Sequence, residues 1–341
     1  MTAKTKKPQN LSKTIKRLLK YFAGYKLAIS FVAFAAIVSA FSTIFGPKLL
    51  GEMIQSVSKN FEIVGGVPKF NPDFAEISKI GFTLVAIYVV SGIFGYLQNW
   101  IMAGVSQKIT FKMREQLSQK IAKLPIHYFD KRKTGDIVSI ITNDIETIGQ
   151  SLSQSLNTVI YSSITLVGVS AMIISISWQI SLIAFGSAIL SVILIGLITK
   201  FSQKYFTELQ ASTGKINGFA EEMMSAHEII KAYNGEENSI EKFKKINAEM
   251  YRASWRSQFF GGLIYPVMGF IGNLSTLTTV VFGGIRTING QLSLGDLSSL
   301  ITYISQFNRP ISEVGNSMTS IQATFAASQR VFEFLDAREE K

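Results

Sequence analysis

The 53 residues from Thr147 to Thr199 contain no charged side chain. A helix needs about 20 apolar residues to cross a hydrocarbon layer roughly 30 Å thick, so this one run has room for a helical hairpin through a bilayer. Three further charge-free runs, Leu27 to Pro47, Ile80 to Gln107 and Ser257 to Ile285, are each long enough for a single crossing. A sixth, weaker span starts near Leu292 and continues through Leu297, Leu300, Ile301 and Ile304 to about Phe307, with Asp296 at its entrance. With 47% hydrophobic and 17% charged residues, the chain has the composition of a membrane protein, not a water-soluble domain. No small-residue cleavage site follows the first apolar run, which lies behind basic, acid-free sequence, so it reads as a retained helix and not a signal peptide.

The net charge of +11 follows topology. Residues 1–26 hold eight Lys and Arg, 106–150 hold eight, 200–258 hold nine and 305–341 hold four, or 29 of 34. The others, Lys48, Lys59, Lys69, Lys79 and Arg286, fall in the alternate loops, so the positive-inside rule places both termini and two long loops in the cytoplasm. A nucleic-acid footprint is the weaker explanation. The absence of cysteine excludes disulfides, Cys-ligated metals and thiol nucleophiles. His127 and His227 lie in different loops, which argues against a metal pair and leaves no nucleophile–base arrangement.

Leu11, Ile15, Leu18, Leu19 and Phe22 recur at helical spacing among lysines, which suggests an amphipathic elbow on the inner membrane surface; a solvated basic tail is the alternative. Gly51 to Lys79 forms the one sizeable external loop, with turn signals at Gly65-Gly66-Val67-Pro68 and Asn71-Pro72. No proline occurs from Ile126 to Tyr265, although both cytoplasmic loops fall largely inside that interval. Helices are therefore expected to run unbroken from Ile80 to Leu124, from Trp178 towards Gly218 and from Asn238 to Ile285. A helix of about 45 residues would span roughly 65 Å, so about half of it projects beyond the bilayer as a stalk.

The first cytoplasmic loop turns through Leu124-Pro125-Ile126-His127-Tyr128-Phe129-Asp130, then Thr134-Gly135-Asp136 and Thr142-Asn143-Asp144. Pro125 stops one stalk, Gly135 permits a tight turn, and Asp136 favours the positive end of the next helix. In this order the elements resemble the ABC exporter pattern of a Leu-Pro pair, an aromatic-Phe-Asp turn, a Thr-Gly-Asp helix start and an Asn-Asp pair. The run from Glu221 to Glu237 is similar to the family's second coupling segment, and His227 stands where many relatives are apolar. The third likeness is Leu294-Gly295-Asp296, Tyr303, Arg309-Pro310 and Arg330-Val331-Phe332-Glu333, which resembles the sixth helix and the lead into the family's ATPase.

The resemblance covers essentially the whole chain. It implies an all-α membrane fold, an ABC transporter type 1 transmembrane domain of six long helices extended into the cytoplasm. Its parts would be a basic N-terminus with elbow helix (1–24), the transmembrane domain (25–325) and a linker (326–341). Spans are expected at about 27–50, 80–105, 154–175, 178–200, 257–285 and 292–312, with cytoplasmic loops at 106–150 and 200–256. The coupling residues it implies are Phe129, Asp130, Gly135, Asp136, Thr142, Asn143 and Asp144 in one loop, and Glu222, Ser225, Ala226, His227, Glu228 and Lys231 in the other. Partners would be a second transmembrane half, nucleotide-binding domains and membrane lipid, in a bacterial cell membrane with both termini cytoplasmic.

A P-loop reads Gly-x4-Gly-Lys-Ser/Thr. The nearest fragment, Gly214-Lys215, has Ile216 next and Leu209 in place of the first glycine, so this sequence holds no phosphate cradle. ATP and Mg are expected to bind a domain outside it, cut away or on a separate chain, and the sequence itself is expected to catalyse nothing. Phe41, Phe45, Phe94, Trp100, Tyr161, Tyr265 and Met268, with Met102, Met172 and Phe270, are candidates for a cargo cavity, although such residues more often pack helices or face lipid. With no acidic residue identified at mid-membrane, amphiphilic or uncharged cargo is favoured over proton-coupled transport. A non-transporting scaffold or channel subunit is the competing function.

Overall fold

A computed structural model describes residues 11–59, 61–64, 67–70, 73–130 and 134–340. Helix α1 (Leu11–Phe22) leads through a short 3-10 turn, Ala23–Tyr25, into α2 (Lys26–Lys59). Two short antiparallel strands follow, β1 (Phe61–Val64) and β2 (Val67–Phe70), in the register Phe61↔Phe70 to Val64↔Val67. Part of the loop expected between the first two spans is thus a hairpin; its turn signals at 65–66 and 71–72 lie outside the described residues. The Asp73 carboxylate caps α3 (Phe74–Ile121), accepting from the Ala75 and Glu76 amides at 3.0 and 3.1 Å.

At 48 residues, α3 is about 72 Å long, more than twice the hydrocarbon thickness. Pro125 ends the stalk region, and after α4 (Ile126–Asp130) and α5 (Thr134–Ser139) a π-turn, Ile140–Asp144, feeds into α6 (Ile145–Ile176). Ser177 alone separates α6 from α7 (Trp178–Ser225), the second 48-residue helix. α8 (His227–Ala232) and α9 (Glu236–Gly262) form the return stalk, α10 (Ile264–Ile288) the next span, and α11 (Leu294–Leu335) the last.

The helix expected from Asn238 to Ile285 is interrupted at Leu263. Gly261 and Gly262 weaken the end of α9, and Pro266, third residue of α10, lacks an amide only where a helix start leaves its amides unpaired anyway. In the other direction, α11 runs unbroken across the expected linker boundary at 325–326 to Leu335. Among the described residues, five helices are long and apolar enough to cross a membrane. α11 falls outside that set because Asn308, Arg309 and Glu313 interrupt its apolar run.

The helices sort into two units, Met1–Ser181 with Val280–Lys341, and Leu182–Thr279. In the first, α2, α3, α6 and α11 pack around small buried residues such as Ser91, Ser106, Ser162, Thr165 and Ser299, which let helix backbones approach closely. Its apolar core lies at the end carrying the α3 stalk, where Met102, Ile109, Met113, Leu117, Ile145, Val331 and Phe334 meet Leu18 and Phe22 of α1. Two of the elbow residues read from sequence are therefore buried on their expected face; the side chains of Leu11, Ile15 and Leu19 lie outside the described residues.

Near the opposite, turn end, α2 and α11 form a close antiparallel seam. Tyr303 donates from its hydroxyl to the Ile44 carbonyl at 2.5 Å, Ser299 to the Pro47 carbonyl at 2.9 Å, and the Gly295 amide to Gln55 Oε1 at 3.1 Å. Gly51 and Gly295 face each other so closely that a Cβ built on either would fall on the other's carbonyl oxygen. Arg286 secures the same end, donating to Ser177 and Gln179 at the α6–α7 turn and to Gln291 in the next.

Gly51→Val or Gly295→Val is expected to force the seam apart and to cost about 3 kcal/mol or more of overpacking strain. Gly92→Ala, which meets nothing within 4 Å, is expected to be neutral or slightly stabilising. Thermal unfolding of the purified variants in lipid nanodiscs checks both; equal losses at the three positions would contradict the seam.

Candidate functional site: the stalk tips and a polar chamber

Most of the first-loop residues expected to couple are surface groups. Asp130, Gly135, Asp136, Thr142 and Asn143 are exposed, whereas Phe129 packs beside Tyr128 on the core, with ring centroids 5.9 Å apart. Asp136 lies in the first turn of α5. Thr142, Asn143 and Asp144 fall in the π-turn, whose wider winding interrupts the α-helical register, and Asp144 is buried while Thr142 and Asn143 stay exposed. The Asp144 carboxylate takes a two-pronged bond from Arg330 on α11, Nε to Oδ2 at 2.7 Å and Nη2 to Oδ1. That hydrogen bond holds the Arg330 guanidinium even more firmly protonated than usual.

Arg330 belongs to a larger junction. Arg17 of α1 donates to both oxygens of Asp336, at 2.8 and 2.7 Å, and lies 4.4 Å from the centroid of the Phe332 ring. Tyr21 stacks on Phe332 and donates to Gln116 of α3 at 2.5 Å. Lys120 near the end of α3 bonds Glu339 at 2.9 Å, a contact that holds the Glu339 carboxyl below the usual range. Its contribution is present at neutral pH and is lost only as pH falls through that lowered value. Elbow, stalk, first loop and the end of α11 are thus joined by charge pairs around one apolar core.

In the second unit, the tip between α7 and α9 carries Glu222, Ser225, His227, Glu228 and Lys231 exposed and Ala226 half-buried. The turn after α8 closes with the Gly235 amide on the Ile230 carbonyl at 2.8 Å, and Asn234 takes the left-handed backbone conformation (φ 50) that asparagine tolerates. Met224, Ile229 and Tyr233 are 81%, 64% and 84% exposed. Such apolar exposure on a stalk tip suits a docking surface.

Within the first unit a polar chamber of about 560 Å³ lies among α2, α3, α6 and α11, lined by Gln98, Asn99, Asn157, Tyr161, Arg309 and Glu313 with several serines. Gln98 Nε2 donates to Asn157 Oδ1 at 3.4 Å, Asn157 Nδ2 to Asn99 Oδ1 at 3.1 Å, and Asn99 Nδ2 to the Gly95 carbonyl at 2.9 Å. Glu313 accepts from Ser162 at 2.9 Å on one oxygen and from Arg309 Nε at 2.9 Å on the other. Counted at 1.5 Å per residue from the turn ends of α6 and α11, these groups lie about 20–30 Å deep, in the stalk-side part of a hydrocarbon layer. Glu313, one residue beyond the expected sixth span and half-buried, bonds Ser162 of the expected third span.

Of the seven principal cavity candidates, Tyr161 lines this chamber and shares a 3.0 Å hydrogen bond with Thr43. Phe41 and Phe45 stack on the side of α2 away from Ser39, which lines the chamber; Phe94 packs edge-on against Phe34; Trp100 is exposed. Tyr265, Met268 and Phe270 belong to the second unit, with Tyr265 and Phe270 exposed. Met102 is buried in the stalk-end core. Sequence alone does not pair Arg17 with Asp336, Ser162 with Glu313 or Asp144 with Arg330, because these partners lie far apart along the chain.

Residues 29–311 match the family model of the ABC transporter transmembrane region. The chain belongs to that family. It is 33% identical over 80% of its length to a "Fatty acid ABC transporter ATP-binding/permease protein" of Mycobacterium bovis, covering 43% of that relative. It is 30% identical over 99% of its length to an "Uncharacterized ABC transporter ATP-binding protein YfiC" of Bacillus subtilis, covering 54%. It is 26% identical over 98% to an "ATP-dependent lipid A-core flippase" of Photobacterium profundum, covering 56%. The chain spans about half the length of these curated relatives.

Removing one member of a charge pair strands its buried partner. Arg330→Ala is expected to destabilise the transmembrane domain by about 3 kcal/mol, whereas the swap Asp144→Arg with Arg330→Asp recovers part of that loss. Thermal unfolding of the two single variants and the double variant measures the coupling; additive losses would show that the pair contributes nothing.

Proposed function

We propose that this chain is the membrane half of an ATP-driven exporter, which pairs with a second half around the polar chamber and moves amphiphilic cargo between leaflets or out of the cell. The observation that carries this is the pair of long stalks whose far ends present exposed charged and apolar side chains, a shape that requires something outside the bilayer to grip it. The positive bias of the loops at that end supports a cytoplasmic stalk side and cytoplasmic termini. Two of the relatives are named for fatty acid and for lipid A-core, which favours lipid-like cargo.

In this reading ATP and Mg bind a nucleotide-binding domain, for which this chain offers no phosphate cradle. Closure of two such domains moves the stalks as rigid bodies and exposes the chamber alternately to the two sides. Phe129, Asp136 and Asn143 in one loop, and Glu222, Glu228 and Lys231 in the other, are the contact groups. They transmit displacement and do no chemistry.

With the ATPase domain present, inside-out vesicles are expected to accumulate a fluorescent acyl-chain amphiphile only when ATP is supplied. Asp136→Ala and Asn143→Ala are each expected to lower that transport at least tenfold while ATP hydrolysis persists. Unchanged transport in both would sink the coupling assignment, and ion conductance without ATP would indicate a channel instead.

A further inference from the structure

We infer that the chamber recognises the anionic end of its cargo, a carboxylate or phosphate headgroup on an acyl chain, through the terminal nitrogens of Arg309, with Glu313 and Ser162 as positioning residues. This rests on the exporter reading above and adds a sign and a place to it.

Arg309 keeps hydrogen-bonding capacity that its own ion pair does not use. Among the acceptors of the chamber, Asn157 Oδ1 is held by Gln98, Asn99 Oδ1 by Asn157, and the two Glu313 oxygens by Ser162 and Arg309. The donors are not used up. Each amide nitrogen in the relay spends one of its two N–H groups, and Arg309 spends only its Nε, leaving Nη1 and Nη2 on a side chain that is 83% exposed and lines the chamber. A cargo group that meets these free Arg309 nitrogens is one that accepts hydrogen bonds, and a guanidinium edge matches the two oxygens of a carboxylate or phosphate.

Glu313 does not cancel this preference. Ser162, which is fully buried, fixes one carboxylate oxygen, and the other holds Arg309 by its Nε side. The ion pair thereby orients the guanidinium instead of covering it. Charged side chains at this depth are costly unless they face a cavity and each other, and both do. The depth also suits the purpose, since about 20–30 Å from the turn end is where a headgroup in the stalk-side leaflet would enter and leave its chain in hydrocarbon.

The test is equilibrium binding to the full transporter, ATPase domain included, in nanodiscs of neutral lipid without nucleotide. The probes are radiolabelled hexadecanoate, hexadecyl phosphate, hexadecanol and hexadecyltrimethylammonium. The two anions are expected to bind at least tenfold tighter than hexadecanol, with Arg309→Gln reducing that preference to within twofold and Arg309→Lys restoring part of it. Glu313→Gln is expected to alter affinity for the anions far more than for hexadecanol.

Tightest binding of the cation would overturn the proposal in favour of Glu313 as the recognising group. An equal loss for all four probes in Arg309→Gln would reduce the pair to a structural tie. Competition by acetate or inorganic phosphate at matched concentration would make this a small-anion site and remove the acyl chain from the claim. Absence of ATP-driven movement of any amphiphile would count against the exporter reading alone, because the binding preference is measured without transport.

Discussion

Hydrocarbon offers a backbone no hydrogen-bond partner, and the architecture follows from that one restriction. Every crossing segment must satisfy its own amides and carbonyls, so each becomes a helix that cannot stop until it has left the layer. Small polar side chains obey the same rule by bonding back to their own helix, as Ser170 does to Leu166, Ser275 to Ile271 and Thr278 to Leu274. Polar groups too long to be satisfied in this way collect where they can satisfy one another. In the first unit Gln98, Asn99, Asn157 and Glu313 do so in the chamber.

Away from the layer the balance changes. At the stalk end of the first unit, water is at hand and charge pairs replace buried serines as the means of joining elements. Most of those pairs are partly exposed and individually modest. Arg330–Asp144 differs because the carboxylate side chain is only 6% exposed, so its partner's charge cannot readily be replaced by solvent. The pair also joins segments 186 residues apart, which ties the end of the last helix to the loop expected to receive motion from outside the membrane.

The spans and stalks were legible because absence is a strong signal: runs without charge and an interval without proline leave few alternatives to long helices. Pro266 also carried the break before α10, although the expected continuous helix passed over it. The sixth span reads weakly for a physical reason, since the chamber groups Arg309 and Glu313, with the buried Asn308, dilute its hydropathy. Glu313 falls just beyond a boundary drawn by hydropathy, while its side chain reaches back to Ser162. Size and adaptability make aromatic residues cavity candidates, yet Phe41 and Phe45 fall on the side of α2 away from Ser39, whereas Tyr161 of α6 lines the chamber. No pattern along the chain announces that Arg17 meets Asp336, 319 positions away.

α11 is fastened near one end by backbone contact at Gly295 and near the other by the Arg330 pair, and Pro310 lies between them inside the helix, three residues before the Glu313 bond to Ser162. Proline lacks the amide that would bond four residues back, so this is where the backbone of α11 has one restraint fewer. A rod pinned near both ends and notched near the middle flexes at the notch. Since Pro310 directly follows Arg309, flexure there would re-aim a chamber cation without loosening either fastening.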